Sequence, residues 1–255
     1  MPFSQNMLVN KLKEGDKEAY LFFCDNYSSE IYNLAYKMLG NREDAEDITQ
    51  DTIVQVYCNI KGFKGNSSLY TWVYRITKNL CLKHLQDKKR SSFSSLEKII
   101  YKEQSEKAAK SFSAIEKKFY INQIKEGCLI GLLKCLSFYQ RAVFILNVLF
   151  DVEIKYLAQI LDKSENATRI LIHRSKKNIK SFLCRNCFLY NSNNFCKCEN
   201  LIEFSLKRGW IEESSPDKVD GIPDLSLERI ENELMGLKKI IYLYKDLEKN
   251  LLMSL

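Results

Sequence analysis

Apolar residues recur along this chain with the spacing of a helix and almost nowhere with the alternation of a strand. Ile31, Leu34, Ala35, Met38 and Leu39 fall at i, i+3, i+4, i+7 and i+8, and Leu69, Trp72, Val73, Ile76 and Leu80 repeat the pattern. Only three prolines and nine glycines interrupt 255 residues, so long helices go unbroken. The expectation is an all-α protein with two small helical domains, over 1–90 and 126–183, joined by a linker at 91–125. A Cys-rich extension (184–211) and an acidic linker with a C-terminal amphipathic helix (212–255) follow. The apolar runs are far shorter than the roughly 18 residues of a membrane span. The N-terminus MPFSQNMLVNKLKEGD lacks a signal-peptide core, so the chain reads as cytoplasmic with no membrane insertion.

Met7 to Asn26 reads as an opening helix or helix pair with Leu8, Leu12, Ala19, Tyr20, Phe22 and Phe23 in the core. Ser28 or Ser29 is placed to cap the next helix, and Gly40 to end it. Asn41 then caps a helix from about Arg42, with Asp44 answering it as in a capping box. On that helix Ala45, Ile48, Thr52 and Val56 share one side, and Asp44, Asp47, Gln50 and Asp51 share another. Like charges at these spacings cost roughly a few tenths of a kcal/mol per pair, so the carboxylate stripe does not serve the helix. It suits a basic protein partner, a plain solvated face, or a divalent metal held by oxygen ligands.

Charge reverses after this acidic helix. Residues 61–90 carry eight Lys or Arg against one acid, and residues 154–180 carry seven against two. Two basic patches on a helical protein favour a polyanion touched at two places, with solvated helix faces as the bland alternative. Gly62 to Ser68 is a Gly-, Asn- and Ser-rich loop, and Ser67 or Ser68 can cap the helix after it. The outward side of that helix offers Tyr70, Tyr74, Arg75, Lys78 and Asn79, then Lys83 and the run Lys88 to Arg90. Aromatic rings beside cations suit unpaired bases, the rings for stacking and the cations for phosphates.

Residues 91–125 begin Ser-rich and turn to mixed charge, a linker with one short helix. The second domain starts near Glu126. Within it, Ile154 to Leu161, a break at Asp162 and Lys163, and a longer helix capped by Ser164 form a helix-turn-helix pattern. Leu157, Ala158, Leu161, Thr168 and Ile172 would join its helices, leaving Asn166, Arg169, Ile170, His173, Lys176 and Lys177 facing out.

Three segments, DAEDITQDTI (44–53), TWVYRITKN (71–79) and YLAQILDKSENATRILIHRSKK (156–177), resemble the bacterial extracytoplasmic-function (ECF) sigma factors of RNA polymerase. The resemblance implies that Asp44, Glu46, Asp47, Gln50 and Asp51 bind core polymerase in region 2. It implies that the segment from Gly65 through Lys83, with Asn66, Ser67, Tyr70, Tyr74, Arg75, Lys78 and Asn79, captures the melted -10 element. In region 4, Arg169, His173, Arg174 and Lys177, beside Asn166, would meet the -35 element. The chain departs from the family pattern at Lys83 and Gln86, where an Asp and an Arg are usual, at Leu171 in place of an Arg, and at Asp162 in place of a turn Gly. The implied function is a sigma factor with no catalysis and no required cofactor. Its partners would be core RNA polymerase, promoter DNA, and either an anti-sigma factor or the chain's own C-terminal extension.

Cys184, Cys187, Cys196 and Cys198 give C-x2-C-x8-C-x-C, and four thiolates so spaced can surround one Zn. A redox-active dithiol and unliganded cysteines are the alternatives. The segment also resembles a Cys-containing extension of some ECF sigma factors, matched at Cys187, Cys196 and Cys198. Beyond it, Leu227 to Leu252 reads as an amphipathic helix that must dock on something. Two rival functions stay open: a helix-turn-helix regulator that needs no polymerase, and a metal-dependent nuclease using Asp44, Asp47 and Asp51.

Overall fold

The structure, a computed structural model, describes residues 4–86, 90–104, 112–208 and 211. The expected helix over Leu227 to Leu252 and its acidic linker lie outside the described residues, as do Lys88 and Lys89. The regular structure described is helical, apart from an isolated bridge between Cys187 and Cys196. The chain forms two compact units, one built from Met1–Ser91 and Leu133–Lys176, the other from Ser92–Leu132 and Lys177–Leu255.

In the first unit, α1 (Gln5–Glu14) starts at Ser4 and ends at Gly15, whose φ of 79° lets it close the helix. Asp16 then caps α2 (Lys17–Leu39) by accepting from the Ala19 N–H at 2.8 Å. The expected break at Ser28 or Ser29 does not occur. Ser28 Oγ donates to the Cys24 carbonyl one turn back at 2.6 Å, so the hydroxyl is satisfied inside a continuous helix. Gly40, at φ 65°, ends α2, and the Asn41 side chain accepts from the Asp44 N–H to start α3 (Arg42–Asn59). The carboxylate of Asp44 lies 3.2 Å from His84 Nε2. Ser68 caps α4 (Leu69–Leu85) by accepting from the Thr71 N–H at 3.1 Å.

These helices enclose a core of Leu8, Phe23, Tyr27, Ile31, Val56, Ile60, Leu69 and Val73, all nearly inaccessible to water. The other stretch of the same unit carries α7 (Phe138–Phe144), a π-helical turn over Ile145–Leu149, and α8 (Ile154–Leu161). Its α8 packs along α4. Arg141 of α7 is buried and donates from Nε to the Leu133 carbonyl at 2.8 Å, from Nη2 to that of Lys134 at 3.1 Å, and from Nη1 to that of Met38 at the end of α2. Burial lowers its pKa to about 10, so it remains a cation at neutral pH. Lys134 Nζ donates to the Gly40 carbonyl at 3.1 Å. Two cations thus satisfy two carbonyls at the end of α2, those of Met38 and Gly40.

The second unit contains α5 (Phe93–Gln104), most of α6 (Ala114–Cys135), the end of α9 (Glu165–Asn186) and α10 (Ile202–Lys207). Much of the stretch expected as a linker is therefore helix, and the helix expected from Glu126 starts a dozen residues earlier, after Ser113. Phe93 packs on Phe182, and Tyr101 edge-on to Phe195 at 5.1 Å, which ties α5 to α9 and to the cysteine segment.

Replacing Arg141 by Met keeps its bulk but strips the three carbonyls of their donor. The expected loss is about 3 kcal/mol, read as a fall in the urea midpoint. An unchanged midpoint would show that the Arg141 contacts do not hold the unit together.

Candidate functional site

The carboxylate face of α3 is exposed at Glu46, Asp47, Gln50 and Asp51. Asp44 is only half exposed and lies 3.2 Å from His84 Nε2, so it ties α3 to the last turn of α4. The face continues beyond its acids. Val54 and Tyr57, at 57% and 60% exposure, follow Gln50 and Asp51 at helical spacing, with the Tyr57 ring edge-on to Tyr20 at 5.0 Å. Sequence reasoning missed this pair, although the run Asp47, Gln50, Asp51, Val54 shows the periodicity. An acidic stripe ending in exposed apolar groups offers both steering charge and contact area to a basic partner.

On α4 the expected outward residues divide. Asn66, Arg75 and Asn79 are exposed, Ser67 is half exposed, and Tyr70 is 37% exposed. Tyr74 and Lys78, expected to face out, are buried. Tyr74 is covered by Phe150 and bonded to α2, and Lys78 lies against Asp162 at the end of α8, partners that periodicity alone does not show. Tyr74 Oη donates to Glu30 Oε2 at 2.9 Å, and burial with that carboxylate pushes its pKa up. Lys78 Nζ lies 3.6 Å from Asp162, and burial outweighs that carboxylate, lowering its pKa.

Tyr70 keeps the surface position. Its ring stacks on Tyr27 at 4.3 Å, and Tyr27 stacks on Phe23 at 4.6 Å, so a column of rings rises from the core and ends at the surface. A base could stack at that end.

The helix-turn-helix forms as expected from α8, the turn at Asp162 to Ser164, and α9. Asp162 takes the left-handed conformation at φ 54°, and Ser164 Oγ accepts from the Ala167 N–H at 3.2 Å. Leu157, Ala158, Leu161, Thr168 and Ile172 are buried. Asn166, Arg169, Ile170, His173, Arg174 and Lys177 are exposed along α9, while Lys176 is half buried, which lowers its pKa. Arg169 pairs with Glu165 at 3.1 Å one turn back.

Cys196 is buried, Cys187 and Cys198 are half buried, and Cys184 is exposed. Among the described residues no three metal-ligating side chains converge, so the zinc reading of Cys184, Cys187, Cys196 and Cys198 has no support. Burial pushes the Cys196 thiol up to about 12 and Cys198 to about 11, with the neighbouring cysteines adding to both.

Residues 23–91 match the family described as Sigma-70 region 2, and residues 126–179 match Sigma-70, region 4. The chain is 38% identical over 89 residues to the ECF RNA polymerase sigma factor SigW of Bacillus subtilis, an alignment covering 35% of this chain and 48% of that protein. It is 32% identical over 78 residues to the RNA polymerase sigma-H factor of Pseudomonas aeruginosa, covering 31% of this chain and 40% of the other. The chain carries a Sigma-70 region 2 and a Sigma-70 region 4 match and is similar to the ECF sigma factors.

It spans about half the length of the curated relatives it matches. The solved structure of CnrH in complex with the cytosolic domain of CnrY is similar to this chain with a TM-score of 0.52 at 16% identity, over 70% of this chain and 96% of that one. That likeness concerns the fold. The region 2 match holds most of α2 with all of α3 and α4, and the region 4 match holds the end of α6, then α7, α8 and most of α9.

The burial of the thiols gives a direct check. At pH 8, iodoacetamide should modify exposed Cys184 more than about tenfold faster than buried Cys196 or Cys81, whose thiol is likewise pushed up to about 12. Site-resolved mass spectrometry showing equal rates would contradict the burial of Cys196.

Proposed function

We propose that this chain binds core RNA polymerase and directs it to promoter DNA, helps to open the duplex, and has no catalysis of its own. The observation that carries the reading is the pairing, in one chain, of the exposed α3 carboxylates with an α4 surface of Asn66, Ser67, Tyr70, Arg75 and Asn79. Glu46, Asp47, Gln50 and Asp51 are the core-binding residues, with Val54 and Tyr57 widening the contact; Asp44 contributes by orienting α3 against His84. Tyr70 takes a base of the melted -10 element on the end of its ring column, and Arg75 and Asn79 hold the strand. Arg169, His173, Arg174 and Lys177, with Asn166, approach the -35 element in the major groove. Tyr74 and Lys78 act from behind, as supports of α4.

The protein works in the cytoplasm; among the described residues no helix is long and apolar enough to cross a membrane. An anti-sigma factor, or residues 212–255 of the same chain, would control it. A nuclease built on Asp44, Asp47 and Asp51 is disfavoured because Asp44 is paired with His84 while the other two face outward. A regulator that binds duplex DNA without polymerase would leave the α3 face without a purpose.

The test is run-off transcription with purified core polymerase on genomic promoter fragments. Asp47→Lys and Asp51→Lys should each cut core affinity and transcript yield about tenfold or more while leaving the melting temperature within a few degrees. Full activity in both charge reversals, or no transcript from the native chain, would defeat the reading.

A further inference from the structure

Cys187 and Cys196 close a ten-residue loop, CFLYNSNNFC, at the end of α9. The two face each other in an isolated parallel bridge, where the Cys196 N–H donates to the Asn186 carbonyl and the Phe188 N–H to the Cys196 carbonyl, both at 3.1 Å. Residues paired in this way stand about 4.8 Å apart at Cα, inside the roughly 4.4 to 6.8 Å that a disulfide spans. Other hydrogen bonds give the loop its shape while both side chains are thiols. The Tyr190 and Asn191 N–H groups donate to the Cys187 carbonyl, and Asn194 Nδ2 donates to the carbonyls of Cys184 and Cys187 at 2.9 and 3.1 Å. Held opposed, each thiol meets the other at a high effective concentration. Half-buried Cys187 is the more accessible of the pair. Burial, then the nearby Cys198 and Cys187, push the Cys196 thiol up to about 12, so it resists oxidation on its own.

The loop also touches another helix. Phe195, next to Cys196, packs edge-on to Tyr101 of α5, and Phe93 at the start of α5 packs on Phe182 of α9 at 5.7 Å. All four rings lie in the second compact unit. Tyr101 and Phe195 are 67% and 36% exposed, so their edge contact by itself holds the end of α5 loosely. Helix α5 lies between the two family matches and the loop lies beyond the second, so the pair sits outside both.

We propose that Cys187 and Cys196 form a reversible disulfide under peroxide, clasping the loop so that Phe195 fastens α5 more firmly in the oxidised chain than in the reduced one. The Cys187 thiolate attacks one peroxide oxygen, the O–O bond breaks, and the departing oxygen is protonated to water, leaving a sulfenic acid. The Cys196 sulfur then attacks the sulfenic sulfur, its proton leaves with the displaced hydroxyl as a second water, and the S–S bond forms. Peroxide takes the two electrons that the thiols lose, and a dithiol reductant returns them by exchange. The thiol state thereby sets how firmly the stretch between the two matched regions is held.

The test treats the full-length chain with hydrogen peroxide, blocks remaining thiols with iodoacetamide, and maps tryptic peptides without reduction. Trypsin cuts after Arg185 and Lys197, which leaves Cys187 and Cys196 together in peptide 186–197 and puts Cys184 and Cys198 in others. Peptide 186–197 should be lighter by two hydrogens, regain them with dithiothreitol, and form as readily in Cys184→Ser. Hydrogen exchange of the α5 peptides should slow about fivefold on oxidation of the native chain and not change in Cys187→Ser. A 186–197 peptide that keeps both thiols, passes to sulfinic acid, or is joined to the Cys184 or Cys198 peptide would overturn the disulfide. A disulfide that forms without slowing exchange in α5 would overturn the clasp.

Discussion

Helix α4 is buried from several directions at once, and that burial decides what the protein can present to a nucleic acid. Leu69, Val73, Thr77 and Cys81 are buried where α4 packs on α2 and α3, while Phe150 lies on Tyr74 and Asp162 beside Lys78. A helix held this way cannot offer a broad cationic face. What remains is a narrow edge of Tyr70, Arg75 and Asn79 with the loop residues Asn66 and Ser67 before it. Narrowness suits a single strand better than a duplex, since a strand needs stacking ends and a few charges rather than a groove-filling surface.

Local chemistry was readable wherever a side chain acts within a turn of itself. Asn41, Ser68 and Ser164 cap the helices expected of them, because an N-cap depends only on residues two or three positions away. The helix-turn-helix lengths followed from the same kind of signal. Reading failed where the partner is distant in sequence. Tyr74 and Lys78 sit at outward-looking positions of α4, but Glu30 on α2 and Phe150 meet the first and Asp162 the second. Ser28 misled for the opposite reason, since a hydroxyl that can cap a helix can also bond the carbonyl four residues back within one. Val54 and Tyr57 were legible as periodicity but passed over, because apolar residues on a helix are ordinarily assigned to the core.

The carbonyl ends of α2 show how the later stretch is used. Arg141 and Lys134 donate to the Met38 and Gly40 carbonyls beside the glycine cap, and Asp162 supplies the anion that buried Lys78 requires. Charged residues of the region 4 match are thus spent on completing the hydrogen bonding and charge balance of the region 2 match. Such contacts are stronger when dry and are lost together when the two stretches part.

Photocrosslinking from the end of the ring column tests the central claim most directly. With benzoyl-phenylalanine in place of Tyr70, core polymerase and a transcribed promoter fragment, the account predicts a crosslink to the melted -10 strand that requires core. A crosslink confined to duplex outside that element, or equal crosslinking without core, would contradict it.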